Sequence, residues 1–409
     1  MYMSKLLVIC LAVTCCAASA QQVSPVDARI AAAHSEIKKD PASPASFNNL
    51  AFALIRKGRD FQDESLYVEA GKALDQSLHL SPGNVEAAKL RAAVLLGQNQ
   101  SAEALKLATQ LNRKTPDDLT GWALLVDANV QLGNYDEAER DAQWILDLRP
   151  GSSLGFEKAA MLRELFGDWE GSIEFLDEAN RRTSPNDADQ KSWLLTQKAH
   201  LILLTGNADA ATAILIEAIR LFPDSQLAAA GLAQVRMAQG NYPEALKLLE
   251  ERYHRVPNSA NLYDYAEALA ASGNTPEATR QFAAYERQAA SRPDATLRLI
   301  DYYSDTKPNP SQALSIASKA ASERHDSATL AAYAWALYRN DRFADAKLQM
   351  DKALAVGVRD PVYFCHAASI AASLKDSIAV DKYTKQLTSM PKTSCTVNPA
   401  LQTASQVNP

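Results

Sequence analysis

The feature that most constrains this chain is a recurrence with a period of 34 residues. Pro82, Pro116 and Pro150 are spaced by 34, as are Pro223 and Pro257, Gly133 and Gly167, and Gly206 and Gly240; Gly240 to Gly273 is 33. Gly133 leads Pro150 by 17 residues, and Gly206–Pro223 and Gly240–Pro257 keep that interval. Two stretches nearly rhyme: LGNYDEAERDAQWILDLRP ends at Pro150 and QGNYPEALKLLEERYHRVP at Pro257. A unit of this length, made of two helical stretches, cannot bury its apolar face alone and must stack on copies of itself. The 409 residues are therefore expected to form an extended array, not one compact core.

The recurring positions are those a helical hairpin needs. Where two helices cross closely, a small side chain must sit. On the first helix of each unit that place holds Ala51, Ala92, Val126, Ala160, Ala199, Ala233, Ala266, Ala334 and Ala368. On the second it holds Ala70, Ala104, Ala138, Ser172, Ala211, Ala245, Ala278, Ala313, Ala346 and Val380. The Gly between the helices suits a left-handed C-cap, and the Pro ends the second helix because it cannot continue the ladder. The polar residues that follow, as in PDD, PGS, PND, PDS and PNS, are suited to cap the next helix. Tyr135, Trp169, Tyr242 and Phe343 share one place on the second helix and are expected to fill the interface within the hairpin.

On these residues the chain resembles the tetratricopeptide-repeat (TPR) family over residues 46–391. The family pattern W-x2-L-G-x2-Y, then A-x3-F, then P, is best met in the third unit by Trp122, Leu125, Gly133, Tyr135, Ala138 and Pro150. That unit departs from it at Asn129, where a Tyr is expected, and at Ala142, in place of the aromatic. The resemblance implies an all-α fold, a right-handed α-solenoid (superhelix) of about ten TPR helix-turn-helix repeats. It also implies that ligands lie in the concave groove lined by the first helices. Carried over position by position, the candidate partner-binding residues are Lys89, Asp127, Glu157, His200, Gln234, Tyr263, Glu267, Arg298, Tyr302, Trp335 and Tyr338, with Asn48 and Trp193 in the same register. The later positions are rich in Tyr, Trp and Arg, the types enriched at interface hot spots. For Tyr302 and Trp335, packing between repeats is an equal alternative; for Trp193 packing is the expected role. The Lys-and-Asn clamp with which some members hold a C-terminal carboxylate does not transfer, because Lys89 stands alone, with Ala93, Thr120 and Leu124 at the companion places.

The two ends read differently. Residues 1–20 are expected to be a secretory signal peptide: Lys5, an apolar run from Leu6 to Cys16, then Ala18-Ser19-Ala20 with cleavage after Ala20. That run is too short to span a bilayer, and no later one reaches about 18 apolar residues, so no transmembrane segment is expected. The expected location is the bacterial periplasm or the medium, with peripheral association with the envelope left open. Residues 21–45 are expected to supply a capping helix, Pro25 to Lys39, and a linker over the first repeat. Residues 392–409 lack apolar periodicity and read as a disordered tail. Beyond residue 20 only Cys365 and Cys395 remain. In an oxidising compartment they are a candidate disulfide stapling the tail to the last repeat, a buried Cys365 with a free Cys395 being the alternative.

Little recommends catalysis. The six His are scattered, with no H-x3-H, H-E-x-x-H or C-x-x-C pairing beyond residue 20, so no metal site and no cofactor is expected. No loop of the kinds that serve acyl or phosphoryl transfer is recognised. A nucleic-acid binder needs a basic face; this chain has a formal charge of −6, a pI of 5.6 and no basic run. The expected function is therefore a non-catalytic scaffold binding a peptide or protein partner in the groove, the alternative being an accessory role in envelope assembly or export of polysaccharide, lipid or outer-membrane protein. Three departures from the period stand out: RDFQDES at residues 59–65, a lengthened junction RRTSPNDADQKS, and SDTKPNPSQAL, where Pro308 and Pro310 force a break. Such departures are either neutral changes of loop length or marks of a binding edge.

Overall fold

The computed structural model describes residues 24–390, except 291, 293, 294 and 389. The expected signal peptide, the tail and Cys395 lie outside the described residues. One helix, α1 (Pro25–Lys39), precedes ten helical hairpins. The first five are α2 (Pro44–Phe61) with α3 (Glu64–Leu80), α4 (Val85–Gly97) with α5 (Ser101–Lys114), α6 (Leu119–Leu132) with α7 (Tyr135–Leu148), α8 (Ser153–Leu165) with α9 (Trp169–Arg182), and α10 (Ala188–Leu204) with α11 (Ala208–Leu221). The next are α12 (Gln226–Ala238) with α13 (Tyr242–Arg255) and α14 (Ser259–Ala271) with α15 (Thr275–Ala289). In the eighth, α16 (Thr296–Asp301) runs into a π-turn, Tyr302–Thr306, before α17 (Pro310–Glu323). The chain ends with α18 (Ser327–Tyr338) and α19 (Phe343–Ala355), then α20 (Pro361–Ser373) and α21 (Ser377–Thr388). The described residues contain no strand. The fold is an all-α solenoid.

Small side chains hold each crossing. All nine first-helix positions, Ala51 to Ala368, are buried, none more than 1% exposed. On the second helices Ala70 to Ala346 are buried and only Val380 is half-exposed. Every hairpin but the eighth turns through one left-handed residue: Gln62, Asn99, Gly133, Gly167, Gly206, Gly240, Gly273, Asp341 or Lys375. The eighth substitutes the π-turn, with Pro308 and Pro310 just beyond it. Caps follow the expected chemistry: Asp118, Ser152, Ser225 and Asn258 accept from the first-turn amides of α6, α8, α12 and α14. Such caps contribute about 1 kcal/mol each. The exception is Asp187 at the start of α10, whose side chain makes no cap.

Curvature follows from which helices meet. First helices touch along α2–α4–α6–α8, α10–α12 and α16–α18–α20, whereas second helices pack on first helices and not comparably on one another. The first helices therefore form the inner row. α1 closes the exposed first hairpin, with Ala33, Ile30 and Ile37 in one cluster with Leu50, Ala51 and Leu54.

The array is not open. A solenoid is expected to make contacts only between adjacent repeats, yet here the hairpin turns of the early repeats pack against the starts of repeats six places later. The Asn258 amide, at the start of the seventh repeat, donates to the carbonyl of Gln62 at 2.9 Å, in the turn of the first. The His325 amide donates to Leu132 O at 3.3 Å, and the Ser327 amide to the Tyr135 hydroxyl at 2.6 Å, joining the third repeat to the ninth. Arg359 lies over the Trp169 ring at 4.2 Å, joining the fourth to the tenth. Tyr135 and Trp169 thus serve this seam and not only the hairpin interior. Backbone approach there is too close for a Cβ: one added at Gly133 would lie 2.6 Å from His325 C and one at Gly167 would lie 2.3 Å from Gly357 O.

The first hairpin adds a strap. Its inserted residues extend α2 and carry Arg56, Arg59, Asp60 and Gln62 across to repeats five to seven. Arg56 pairs with Asp187 at 2.7 Å and Asp189 at 2.6 Å, while Arg29 of α1 reaches Asp189 at 3.2 Å. Asp60 accepts from the Ser225 hydroxyl at 2.8 Å and the Gln226 amide at 2.9 Å, at the start of α12. Arg252 donates to Gln62 Oε1 at 2.6 Å. Asp187 forgoes its cap because its carboxylate serves Arg56.

Candidate functional site: the enclosed lumen

Closing the seam turns the concave groove into a lumen. Several inner side chains are open to water and yet ringed by protein, as a narrow channel requires. Glu267 and Asp301 are exposed, but desolvation, reinforced by neighbouring carboxylates, pushes each carboxyl up to about 7. Desolvation also takes Glu164 up to about 7. Asp305 and Asp360 are raised for the same first reason. Opposite walls sense one another: Asp301 feels Asp305, Glu267, Arg298 and Asp360, while burial lowers the His200 imidazole against the pull of Asp360. His200 Nε2 lies 3.8 Å from Glu164 Oε1.

A second, tighter cluster lines a cavity of about 300 Å³ on the same wall, bordered by Arg59, Asp127, Glu157, Lys158, Glu164 and Trp193, among others. The Lys158 ammonium bonds both Asp127 oxygens, at 2.7 and 2.9 Å, and Glu157 at 3.3 Å. Burial opposes its charge, but Asp127 and Glu157 outweigh that and hold its pKa up at about 12. Asp127 is itself raised by burial, against the pull of Lys158. With two short bonds and a second carboxylate beside the ammonium, we take Lys158 as charged. Gln190 donates to Glu157 at 2.7 Å and accepts from Arg59 at 2.9 Å.

The structure sorts the expected groove residues into three groups. Asp127 and Glu157 meet at Lys158, His200 lies beside Glu164, Glu267 senses Asp264 and Arg298 in later repeats, and Gln234 is exposed on α12. Lys89 is tied to Asp118 at 2.8 Å and Glu86 at 2.7 Å, and Arg298 to Asp264 at 3.0 Å and the Ala260 carbonyl at 2.8 Å. Tyr263, Tyr302 and Trp335 are core: 6%, 2% and 7% exposed. Tyr263 and Tyr302 both meet the Tyr285 ring, at 4.8 and 5.6 Å. Trp335 is sandwiched between His366 at 3.7 Å and Tyr338 at 4.7 Å and donates to Asp305. These rings fill gaps left by the irregular eighth repeat and offer a partner no free face. Trp193 is half-buried under the Arg59 guanidinium, 4.7 Å from its ring centre. Sequence reasoning missed Arg56, Arg59, Lys158, Asp187, Asp189 and Asp301; the trace it held was that Arg59 opens the insertion at residues 59–65 and that Asp187 and Asp189 lie inside the lengthened junction.

One expectation needs correcting. Gly151-Ser152-Ser153-Leu154-Gly155 does have the G-x-S-x-G spacing of an acyl-transfer elbow. It joins two helices, with Ser152 capping α8, where a nucleophile elbow joins a strand to a helix. The Ser153 hydroxyl is occupied by the Ala179 carbonyl at 2.9 Å and Thr183 Oγ1 at 2.8 Å. Among the described residues no three His, Cys, Asp or Glu are grouped to hold a metal ion, and no helix is long and apolar enough to cross a membrane. Cys365 is fully buried in α20 and disulfide-bonded; the expected partner, Cys395, lies outside the described residues. Alkylation of the native oxidised protein, read by peptide mass, is expected to leave Cys365 unmodified until reductant is added.

The raised lumen acids have a pH consequence. Their folded pKa of about 7 lies above the ordinary 4.5 of Glu164 and Glu267 and 3.8 of Asp301. Between these limits the folded state binds more protons than the unfolded, so stability falls as pH rises. Tm is expected to be higher at pH 5.5 than at pH 8, and the triple variant Glu164→Gln/Glu267→Gln/Asp301→Asn should flatten that slope. A scan showing the opposite slope would refute enclosure of these carboxyls.

Fold and lumen together define a protein class, a helical-hairpin repeat solenoid. Family models described as tetratricopeptide repeat match residues 124–188 and 203–260. A curated relative, cellulose synthase 1 operon protein C of Komagataeibacter xylinus, is 27% identical over 195 residues, 46% of this chain and 14% of that protein. The chain thus spans about one-seventh of that relative's length. Among solved structures, the APC/C hetero-tetramer Cut9-Hcn1 aligns with a TM-score of 0.48 and 13% identity, over 88% of this chain and 58% of that one. The human IFIT1 dimer with PPP-AAAA gives 0.48 and 13%, over 88% and 94%. PilW, a type IV pilus biogenesis factor, gives 0.43 and 16%, over 53% and 99%. Likenesses at these scores add nothing to the helix pairing described above.

Proposed function

We propose that this chain is a non-catalytic scaffold that holds a peptide or protein partner in its lumen, in the bacterial periplasm or outside the cell. The observation that carries the reading is the row of water-accessible carboxyls whose charge is disfavoured by the surrounding wall. A segment bearing Lys or Arg would restore the ionised state of Glu164, Glu267, Asp301 and Asp360, and complementary charge of this kind favours specificity and fast encounter. The similarity to a cellulose synthase operon protein supports a second reading, an accessory role in assembly or export at the cell envelope. Both are tested by crosslinking in the native cell followed by mass spectrometry. Wild type and Arg140→Glu, a change on an exposed outer helix, should recover the same partner, and Glu267→Lys/Asp301→Lys should lose it while keeping its far-UV CD. Equal recovery by all three would sink the lumen as the binding surface.

A further inference from the structure

The row of inner helices has a slot in it. α8 touches α6 and α10 touches α12, whereas α8 and α10 make no comparable contact. The lengthened junction RRTSPNDADQKS leads into α10 at this place. Between the two helices lies the cavity of about 300 Å³, within the range of ligand sites, with Leu176 of α9 in its lining. α8 gives it one face, Glu157, Ala160, Met161 and Glu164, spaced i, i+3, i+4 and i+7. α10 gives it Trp193 and Gln197, spaced i and i+4.

The two ends of the slot differ. At one end the charges are matched. Lys158 is held by Asp127 and Glu157, Gln190 ties α10 to Glu157 at 2.7 Å, and Arg59 bonds Gln190 with Glu157 and Asp189 acting on its charge. At the other end Glu164 has, among the described residues, only His200, 3.8 Å away and beyond hydrogen-bond range. Burial lowers that imidazole, so at neutral pH it is no counter-cation. The half-buried Gln197 amide makes no hydrogen bond among the described residues. The lining thus holds three carboxyls, Asp127, Glu157 and Glu164, against two cations, Arg59 and Lys158, and the acid in excess is Glu164. A carboxylate drawn out of water is stabilised only by a cation and hydrogen bonds.

We infer that the slot between α8 and α10 is the anchor pocket of the lumen and takes one lysine side chain of the partner. Its methylenes would lie against Met161, Leu176 and the Trp193 ring, and its ammonium would join Glu164 and the Gln197 amide oxygen. The inference rests on the lumen reading and narrows it: the carboxyl row favours basic segments in general, whereas the slot selects one position in the segment. An apolar stem with a charged tip is the division that Lys presents. One free carboxyl suits its point charge better than the two-pronged guanidinium of Arg.

The test uses the full chain, ¹⁵N-labelled in its indoles, with the Trp193 resonance identified by Trp193→Phe. The probe is the peptide acetyl-Gly-Ser-Lys-Ser-Gly-amide. It should shift that resonance with a Kd in the millimolar range. The same peptide with norleucine or Arg in place of Lys should bind at least about tenfold more weakly. n-Butylamine, which has the stem and ammonium without the peptide, should bind several-fold more weakly; equal affinity would make this a site for free amines and overturn the assignment. Glu164→Gln should weaken the Lys peptide about tenfold or more, since a hydrogen bond to a charged group is lost, and Gln197→Leu should weaken it less. Arg140→Glu should bind as wild type. Glu164→Gln should melt no lower than wild type at pH 8, because it removes a disfavoured charge, so its loss of binding is not loss of fold. No shift in wild type, undiminished binding by Glu164→Gln, or equal binding of the norleucine peptide would overturn the inference. The two readings fail separately. No Trp193 shift, with the partner still lost in Glu267→Lys/Asp301→Lys, sinks the slot alone; a lysine-specific shift, with the partner kept in that variant, sustains the slot and sinks the carboxyl row.

Discussion

Gly167→Ala is expected to cost about 3 kcal/mol or more, and Gly206→Ala only about 1 kcal/mol, although both residues have nearly the same left-handed φ, +79° and +87°. The backbone penalty for a left-handed alanine, about 1–2 kcal/mol, is common to both. The difference is the neighbour. A Cβ at Gly206 meets nothing within 4 Å, as at Gly240 and Gly273, whereas one at Gly167 meets Gly357 O and one at Gly133 meets His325 and Asp326 backbone. Backbone cannot rotate away as a side chain can, so the two turns must separate, at the cost of the Arg359–Trp169 contact. Urea titration of the two variants, paired with radius of gyration from solution scattering, checks this. Equal losses at Gly167 and Gly206, with no swelling, would mean that the seam is absent in solution.

Arg56→Ala is the second large effect, at about 2–3 kcal/mol. Removing one partner of a buried ion pair typically costs about 3–5 kcal/mol, because the other charge is stranded. Here Arg56 is 13% and Asp189 8% exposed, but Asp187 is 31% exposed and Arg29 still reaches Asp189, so the loss is discounted. Arg56→Ala/Asp187→Asn/Asp189→Asn should recover most of it. Burial would raise the Asp187 carboxyl, but the Arg56 hydrogen bond and charge outweigh that and hold it below its ordinary 3.8. Its contribution is therefore present above pH 3.8 and lost as pH falls through the lower folded value. That window lies below the one in which protonating the lumen acids stabilises, so the two effects are separable in one pH series. If the triple variant is no more stable than Arg56→Ala, stranded charge is not the cause.

The repeat was legible because its rules are local. Small residues at the crossings, a left-handed turn and a terminal Pro recur at fixed intervals, and each constrains only its own hairpin. The capping helix Pro25–Lys39 could be read for the same reason. The seam could not, since its partners stand far apart in sequence: Arg56 and Asp187, Gln62 and Arg252, Gly133 and His325. No period links them. What the sequence did show were the three departures from period, and two of them lie on the seam: the insertion forms the strap and the long junction supplies Asp187 and Asp189, while the third coincides with the π-turn of the eighth repeat. Asp127 and Glu267 stand on the first helices α6 and α14, in the register that nominated them. Register could not tell that Tyr302 and Trp335 face inward, because ring packing around a π-turn has no repeat to copy.

The touching turns also decide how anything leaves. A ligand in an open horseshoe can peel away sideways, contact by contact. Inside a wound tube whose coils are fastened to each other it is encircled, and must either thread out through an end or wait for the fastening to part. Its residence time is then set by the breathing of the wall, so loosening the coils at Gly167 or Arg56 should speed both arrival and escape while altering the equilibrium affinity far less.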